Sequence, residues 1–232
     1  VFLPSESWRN VIFNPDANQD EITALLDMVP KSKQHKWYRS MNSSQALTQS
    51  VCGNLKLTNS LSILSGLKDD EGLDLFSDAD LSSEFLSLEH KVDCLGEPRP
   101  TSIDVFISGS YQIAIECKFT EVEIGTCSRP RLRIVDGNYE SQYCNGTYSF
   151  QRGRSKRCSL SELGIKYWDY VPNFFHWEND RDLDPCPLNK NYQLVRNILA
   201  SGIAADGKTS IKNNHVVMIY DERNPAFQLE GK

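Results

Sequence analysis

The sequence lacks any apolar run near the roughly 18 to 20 residues needed to span a bilayer, so no membrane-spanning helix is expected. It opens Val1-Phe-Leu-Pro, with neither a methionine nor the pattern of a signal peptide, as a processed or cut end would. It lacks an excess of positive charge: 25 Lys and Arg stand against 31 Asp and Glu, a net charge of −6. No internal repeat is found, which argues against a solenoid. Gly207-Lys-Thr-Ser lacks the preceding glycine spacing and strand of a phosphate-binding P-loop and reads as a turn. The seven cysteines (52, 94, 117, 127, 144, 158 and 186) include no C-x-x-C. An odd number in a chain of this length argues against a secreted disulfide scaffold. A reducing, cytoplasmic setting is therefore expected, with the sequons at Asn42 and Asn145 accidental.

What is present suits a globular protein. The chain has 232 residues, 39% hydrophobic and 24% charged, enough for one large domain or a domain with an insertion. Its organising stretch is Thr101 to Lys118, which reads as two short strands around the turn Ser108-Gly109-Ser110. Ile103, Val105 and Ile107 alternate with Asp104 and Phe106. Ile113, Ile115 and Cys117 alternate with Ala114, Glu116 and Lys118. Side chains two apart share a face, so Glu116 and Lys118 stand together and a hairpin can bring Asp104 beside them. Close like charges raise each other's pKa unless a cation is shared. A divalent hard cation such as Mg²⁺ or Mn²⁺ meets that need with carboxylate and carbonyl oxygens. Such an ion lowers the pKa of a bound water and offsets phosphate charge, and a neighbouring lysine can hold the water or the developing anion. The chemistry is that of metal-assisted phosphodiester hydrolysis. The bland alternative is a solvated strand face.

Asp104 followed by Glu116-Cys117-Lys118 resembles the Asp…(Asp/Glu)-x-Lys signature of the PD-(D/E)XK nuclease superfamily, although Pro100 sits four residues before the aspartate rather than next to it. The resemblance implies Asp104 and Glu116 as metal ligands, the Cys117 carbonyl as a further ligand and Lys118 as the residue serving the water. In many members a helix upstream donates another glutamate; Gln45 and Gln49 occupy that helix here. Glu89, in a strand expected over Glu84 to Val92, and Glu97, in the loop after it, are further candidate carboxylates, each also readable as surface charge.

The element order agrees with the motif. Glu21 to Val29 predicts a short helix stopped by Pro30. Lys31 to Arg39, with His35, Trp37 and Tyr38, reads as an exposed basic connector. A helix capped by Ser43-Ser44 runs to about Leu57, and three strands follow. A further helix spans Asn191 to Ala205, and His215 to Tyr220 is a near-continuous apolar run expected to form a buried central strand. This αβββαβ order, an α/β restriction-endonuclease-like core with a mixed central sheet flanked by helices, is what the superfamily implies over roughly Ser43 to Phe227. Residues 1–42 form an irregular and helical lead-in, and 43–232 the nuclease-like domain. On the Asn191 helix, Gln193 matches the superfamily's glutamine motif and Arg196 is a candidate phosphate contact, but Asn197 replaces the usual tyrosine. The helix and the tail to Phe227 also resemble a group of uncharacterised restriction-endonuclease-like bacterial proteins.

Residues 125–188 read as an insertion. It carries Cys127, Cys144, Cys158 and Cys186, with gaps of 16, 13 and 27 residues, a weak pattern for structural Zn²⁺ or an iron–sulfur cluster. A helix is expected near Leu160 to Val171. Cys52 and Cys117 are assigned to packing. Between Arg129 and Arg157 seven basic residues face two acidic ones, a local +5; Arg152, Arg154, Lys156 and Arg157 could track phosphates. DNA is the expected partner and a membrane is not. Restriction-type double-strand cutting uses two active sites, which leaves a homodimer open, though no interface is legible. Two alternatives remain: a nuclease-like fold that binds nucleic acid without cutting, and a metal-structured interaction module built on the insertion.

Overall fold

The computed structural model describes residues 1–69, 71–76, 81, 85–100, 102–127, 146, 158–175, 186–204, 207–210 and 213–228. The chain divides into two compact units. One comprises Val1–His90, Ile103–Glu121 and Val217–Lys232; the other comprises Lys91–Ser102 and Val122–Val216. No helix among the described residues is long and apolar enough to cross a membrane.

The first unit opens with a 3-10 helix, Pro4–Asn10, followed by α1, Gln19–Asp27. Its start is set by Asn18, whose side chain accepts from Asp20 and Glu21 N–H groups while the Glu21 carboxylate accepts from the Asn18 N–H. The helix expected after Ser43-Ser44 forms as one run in three segments: α2 (Ser44–Thr48), a π turn (Gln49–Gly53) and α3 (Asn54–Leu57). Ser43 caps it by accepting from the Ala46 N–H. The π turn was not expected from the sequence. Inside it the Ser50 hydroxyl donates back to the Ala46 carbonyl at 2.6 Å, a bond that loosens a helical ladder. Gly53 sits there against α1: a Cβ would lie 2.2 Å from Leu25 Cδ1.

Four strands make one sheet: β1 (Phe85–Lys91), β2 (Ser102–Ser108), β3 (Gln112–Lys118) and β4 (Asn214–Tyr220), in that spatial order. The expected meander forms. β2 and β3 are antiparallel, in a register that pairs Val105 with Ile115 and Ser108 with Gln112. The Asp221 N–H donates to the Lys118 carbonyl at 3.2 Å, joining the C-terminal ends of β3 and β4, so these two run parallel and the sheet is mixed. Val105, Ile107, Ile113 and Ile115 are almost wholly enclosed in a core shared with Leu25 and Leu86.

β4 corrects the sequence expectation. Among the described strands it is the last in the sheet, not a central one, and Ile219 and Tyr220 are 39% and 48% exposed. A continuous apolar run is the mark of a strand covered on both faces. It does not reveal whether a neighbour follows it in the sheet.

The second unit carries α4 (Ser159–Glu162), α5 (Tyr167–Phe174) and α6 (Tyr192–Gly202). The helix expected near 160–171 is broken in two at Gly164, whose φ of +86° suits glycine. α6 begins within a residue of its expected start and ends two or three residues early, where Gly202 meets the Phe174 ring: a Cβ would come within 2.1 Å of Phe174 Cε1.

Candidate functional site

Period-two alternation places Asp104 and Glu116 on one sheet face, and one further step of the β2–β3 register sets them opposite each other. Asp104 Oδ2 accepts from the Cys117 N–H at 2.8 Å, so the carboxylate takes the place of a ladder acceptor at the end of the pair. Lys118 Nζ lies 2.8 Å from Glu116 Oε1, and both residues are buried, at 7% and 4% exposure. This face is not solvated. Two charges are enclosed within one short strand, which is costly unless their partners are well placed.

Glu89, on β1, the neighbour of β2, acts on Asp104 through its charge without closing a three-carboxylate cluster among the described residues. Its φ is +50°, a left-handed backbone that a glutamate inside a strand rarely adopts. Strain of this kind persists where surroundings over-determine it, and it gathers at functional sites. The determinants are visible: Gln45 Nε2 of α2 donates to Glu89 Oε1 at 2.5 Å and to the Lys33 carbonyl at 3.0 Å, while Gln45 Oε1 accepts from the His35 N–H at 2.8 Å. Gln45 therefore ties a strand carboxylate to the helix on which a further glutamate was expected and not found. Gln49 is fully buried and structural, accepting from the Tyr38 hydroxyl and donating to the Leu25 carbonyl. The stretch expected to be an exposed connector thus buries Tyr38 to 1%, while leaving Trp37 at 59%.

The electrostatics follow. Removal from water first, then the charges of Glu116 and Glu89, raise the Asp104 carboxyl from 3.8 to about 8; the Cys117 N–H and the Lys118 ammonium pull the other way and lose. Burial and then the Asp104 charge also push up Cys52, to about 11, and hold the Cys117 thiol far above its ordinary range. Both thiols are neutral members of the core.

The other candidates lie apart in the chain. Glu97, Gln193 and Arg196 belong to the second unit. Glu97 accepts from the Tyr167 hydroxyl, which also meets the Tyr192 hydroxyl at 2.9 Å. Gln193 packs on Gly125, where a Cβ would come within 2.8 Å of its Cγ. Arg196 is 4% exposed and donates to the Ser102 carbonyl and to Asn197 Oδ1. Cys127 and Cys158 are buried and Cys186 is half-buried. Among the described residues no three His, Cys, Asp or Glu side chains converge as a metal site, so these three cysteines do not gather as one. Cys144, Arg152, Arg154, Lys156 and Arg157 lie outside the described residues.

The family profile described as "Restriction Endonuclease associating with ARP" matches residues 3–232. The chain belongs to this REase-ARP family. No curated protein and no solved structure matches it significantly. Membership spans both units and supports a restriction-endonuclease-like relationship and a nuclease-related role.

The donor set in this REase-ARP member fits a hard divalent cation. It is made of oxygen ligands, and burial, then the charges of Glu116 and Glu89, push the Asp104 carboxyl up to about 8 against the pull of Lys118, a crowding that a shared cation would relieve. Asp104 and Glu116 are the two side chains that would hold such an ion, with the Cys117 carbonyl next to Glu116 in sequence.

Proposed function

We propose that this protein is a divalent-metal-dependent nuclease of the PD-(D/E)XK type that hydrolyses phosphodiester bonds of DNA. The observation that carries the reading is the buried meeting of Asp104, Glu116 and Lys118 across β2 and β3, in a chain of a restriction-endonuclease family. Mg²⁺ or Mn²⁺, when bound, would acidify a water and offset charge on the phosphate. Asp104 and Glu116 hold that position and keep it rigid, because each is anchored: Asp104 by the Cys117 N–H, Glu116 by Lys118. The Lys118 ammonium, held on the Glu116 carboxylate, can orient a water and donate to the negative charge that develops on the phosphate oxygens. Glu89, steadied by Gln45, adds negative charge that keeps a cation in place and can accept a proton from the water. The basic segment from Arg152 to Arg157 supplies positive charge for the DNA strand, whereas Arg196, expected as a phosphate contact, is buried at 4% exposure on the Ser102 carbonyl.

The test is to incubate linear and circular DNA with the protein in Mg²⁺, Mn²⁺ or EDTA, beside Lys118→Ala and Asp104→Asn. Metal-dependent cutting is expected, falling by at least about 100-fold in either variant. Cutting that survives both substitutions would remove this site from the mechanism. The circular substrate separates endonuclease from exonuclease action.

A further inference from the structure

Beside the candidate site the first unit encloses a cavity of about 150 Å³ between α2, the π turn and the ends of β3 and β4. Its walls are mainly apolar: Leu47, Val51 and Ile219 on one part, the rings of Phe119 and Tyr220 on another. Lys118, which holds Glu116, also lines it. Thr48 also lines the cavity, at 4% exposure, with its hydroxyl set against the Cys117 thiol.

We propose that this cavity receives one nucleobase of the DNA strand, unpaired or turned out of the stack, next to the phosphodiester being cut. Two features select that ligand. The volume is well below the about 300–1,000 Å³ of pockets for drug-sized molecules and suits a single flat ring system. Aromatic and aliphatic walls accept the faces of any base, since every base has a π-face. Because Lys118 belongs to both places, a base seated here places its strand within one side chain of Glu116. The open apolar end of β4 has a use in this arrangement: Ile219 and Tyr220, exposed at the rim of the sheet, are the mouth of the pocket.

This inference rests on the nuclease reading for the identity of the strand, and the two can fail separately. Binding is measured by fluorescence anisotropy, with Ca²⁺ in place of Mg²⁺, on a single-stranded oligonucleotide and on an abasic one of equal length. The wild type is expected to bind the base-bearing strand about tenfold tighter, as stacking of one base on aromatic side chains provides. Val51→Trp fills the cavity from a position already 48% exposed and is expected to erase that preference while leaving affinity for the abasic strand unchanged. A preference that survives Val51→Trp, a wild type without preference, or no binding to either strand overturns the pocket. Cutting in Mg²⁺ alongside any of those results leaves the nuclease reading standing. Absent cutting with a preference that Val51→Trp removes discards the nuclease and keeps the pocket.

Discussion

β3 and β4 lie side by side, have the same length and end together, yet they invert the usual relation of polarity to burial. β3 carries Glu116 and Lys118 and is closed over from Ile113 onward. β4 carries no full charge and leaves Ile219 and Tyr220 open. Position explains the difference. β3 has neighbours on both sides and helix α2 against it, so its charges are enclosed and must satisfy each other. β4 has one strand beside it among those described, so its apolar residues stay partly wet. Enclosed charge is where chemistry is cheapest to organise, because low dielectric strengthens every fixed interaction. Open apolar surface is where something flat can be bound.

The comparison can be broken most severely at Lys118. Lys118→Ala leaves Glu116 buried without its cation and is expected to lower stability by about 3–5 kcal/mol in urea unfolding. The double variant Glu116→Gln/Lys118→Met should recover most of that loss while remaining inactive. A single variant as stable as the wild type would mean that the pair is not enclosed as described.

Asp104 sharpens it through pH. A carboxyl whose folded-state pKa lies above its unfolded value is kept protonated by the fold. Stability is then greatest below the unfolded value of 3.8 and falls as pH rises through about 8. In EDTA, Asp104→Asn should flatten that decline and raise the melting temperature at pH 9 by about 2–4 °C or more. Added Mg²⁺ should stabilise the wild type at that pH and leave the variant unmoved. An unchanged pH profile would refute the crowding of charge at this site.

Gln45→Ala removes the side chain that holds Glu89 and should cost about 1 kcal/mol. Its more informative effect is a higher metal concentration for half-maximal cutting, with Gln45→Glu changing the metal requirement instead of merely weakening it. Smallest of all, Ile219→Thr at the open end of β4 should change stability by about 0.5 kcal/mol, against several for a substitution in β3. A large loss there would show that β4 is covered after all.

Much of the site was legible because strands write their faces in alternate residues. Asp104, Glu116 and Lys118 could be grouped from spacing alone, and the helix cap at Ser43 and the start of α6 were marked by local chemistry. Glu89 was legible as a carboxylate in a strand but not as one held at a φ of +50°, since no residue nearby signals it and Gln45 acts from 44 positions away. Tyr38, embedded in a basic and polar stretch, gave no sign that it would be buried against Gln49. The cavity was invisible for the same reason: its walls come from segments 44–52, 117–119 and 219–221.

The order of elements, the β2–β3 hairpin and the pairing of two carboxylates with a lysine were determined by the sequence itself, because period, turn residues and caps act over a few neighbours. Which face was sealed, which strand lay last in the sheet, and how far the Asp104 carboxyl was driven from its ordinary state were decided by tertiary structure alone. Burial depends on what covers a residue, and the covering groups come from remote parts of the chain whose meeting no local pattern records.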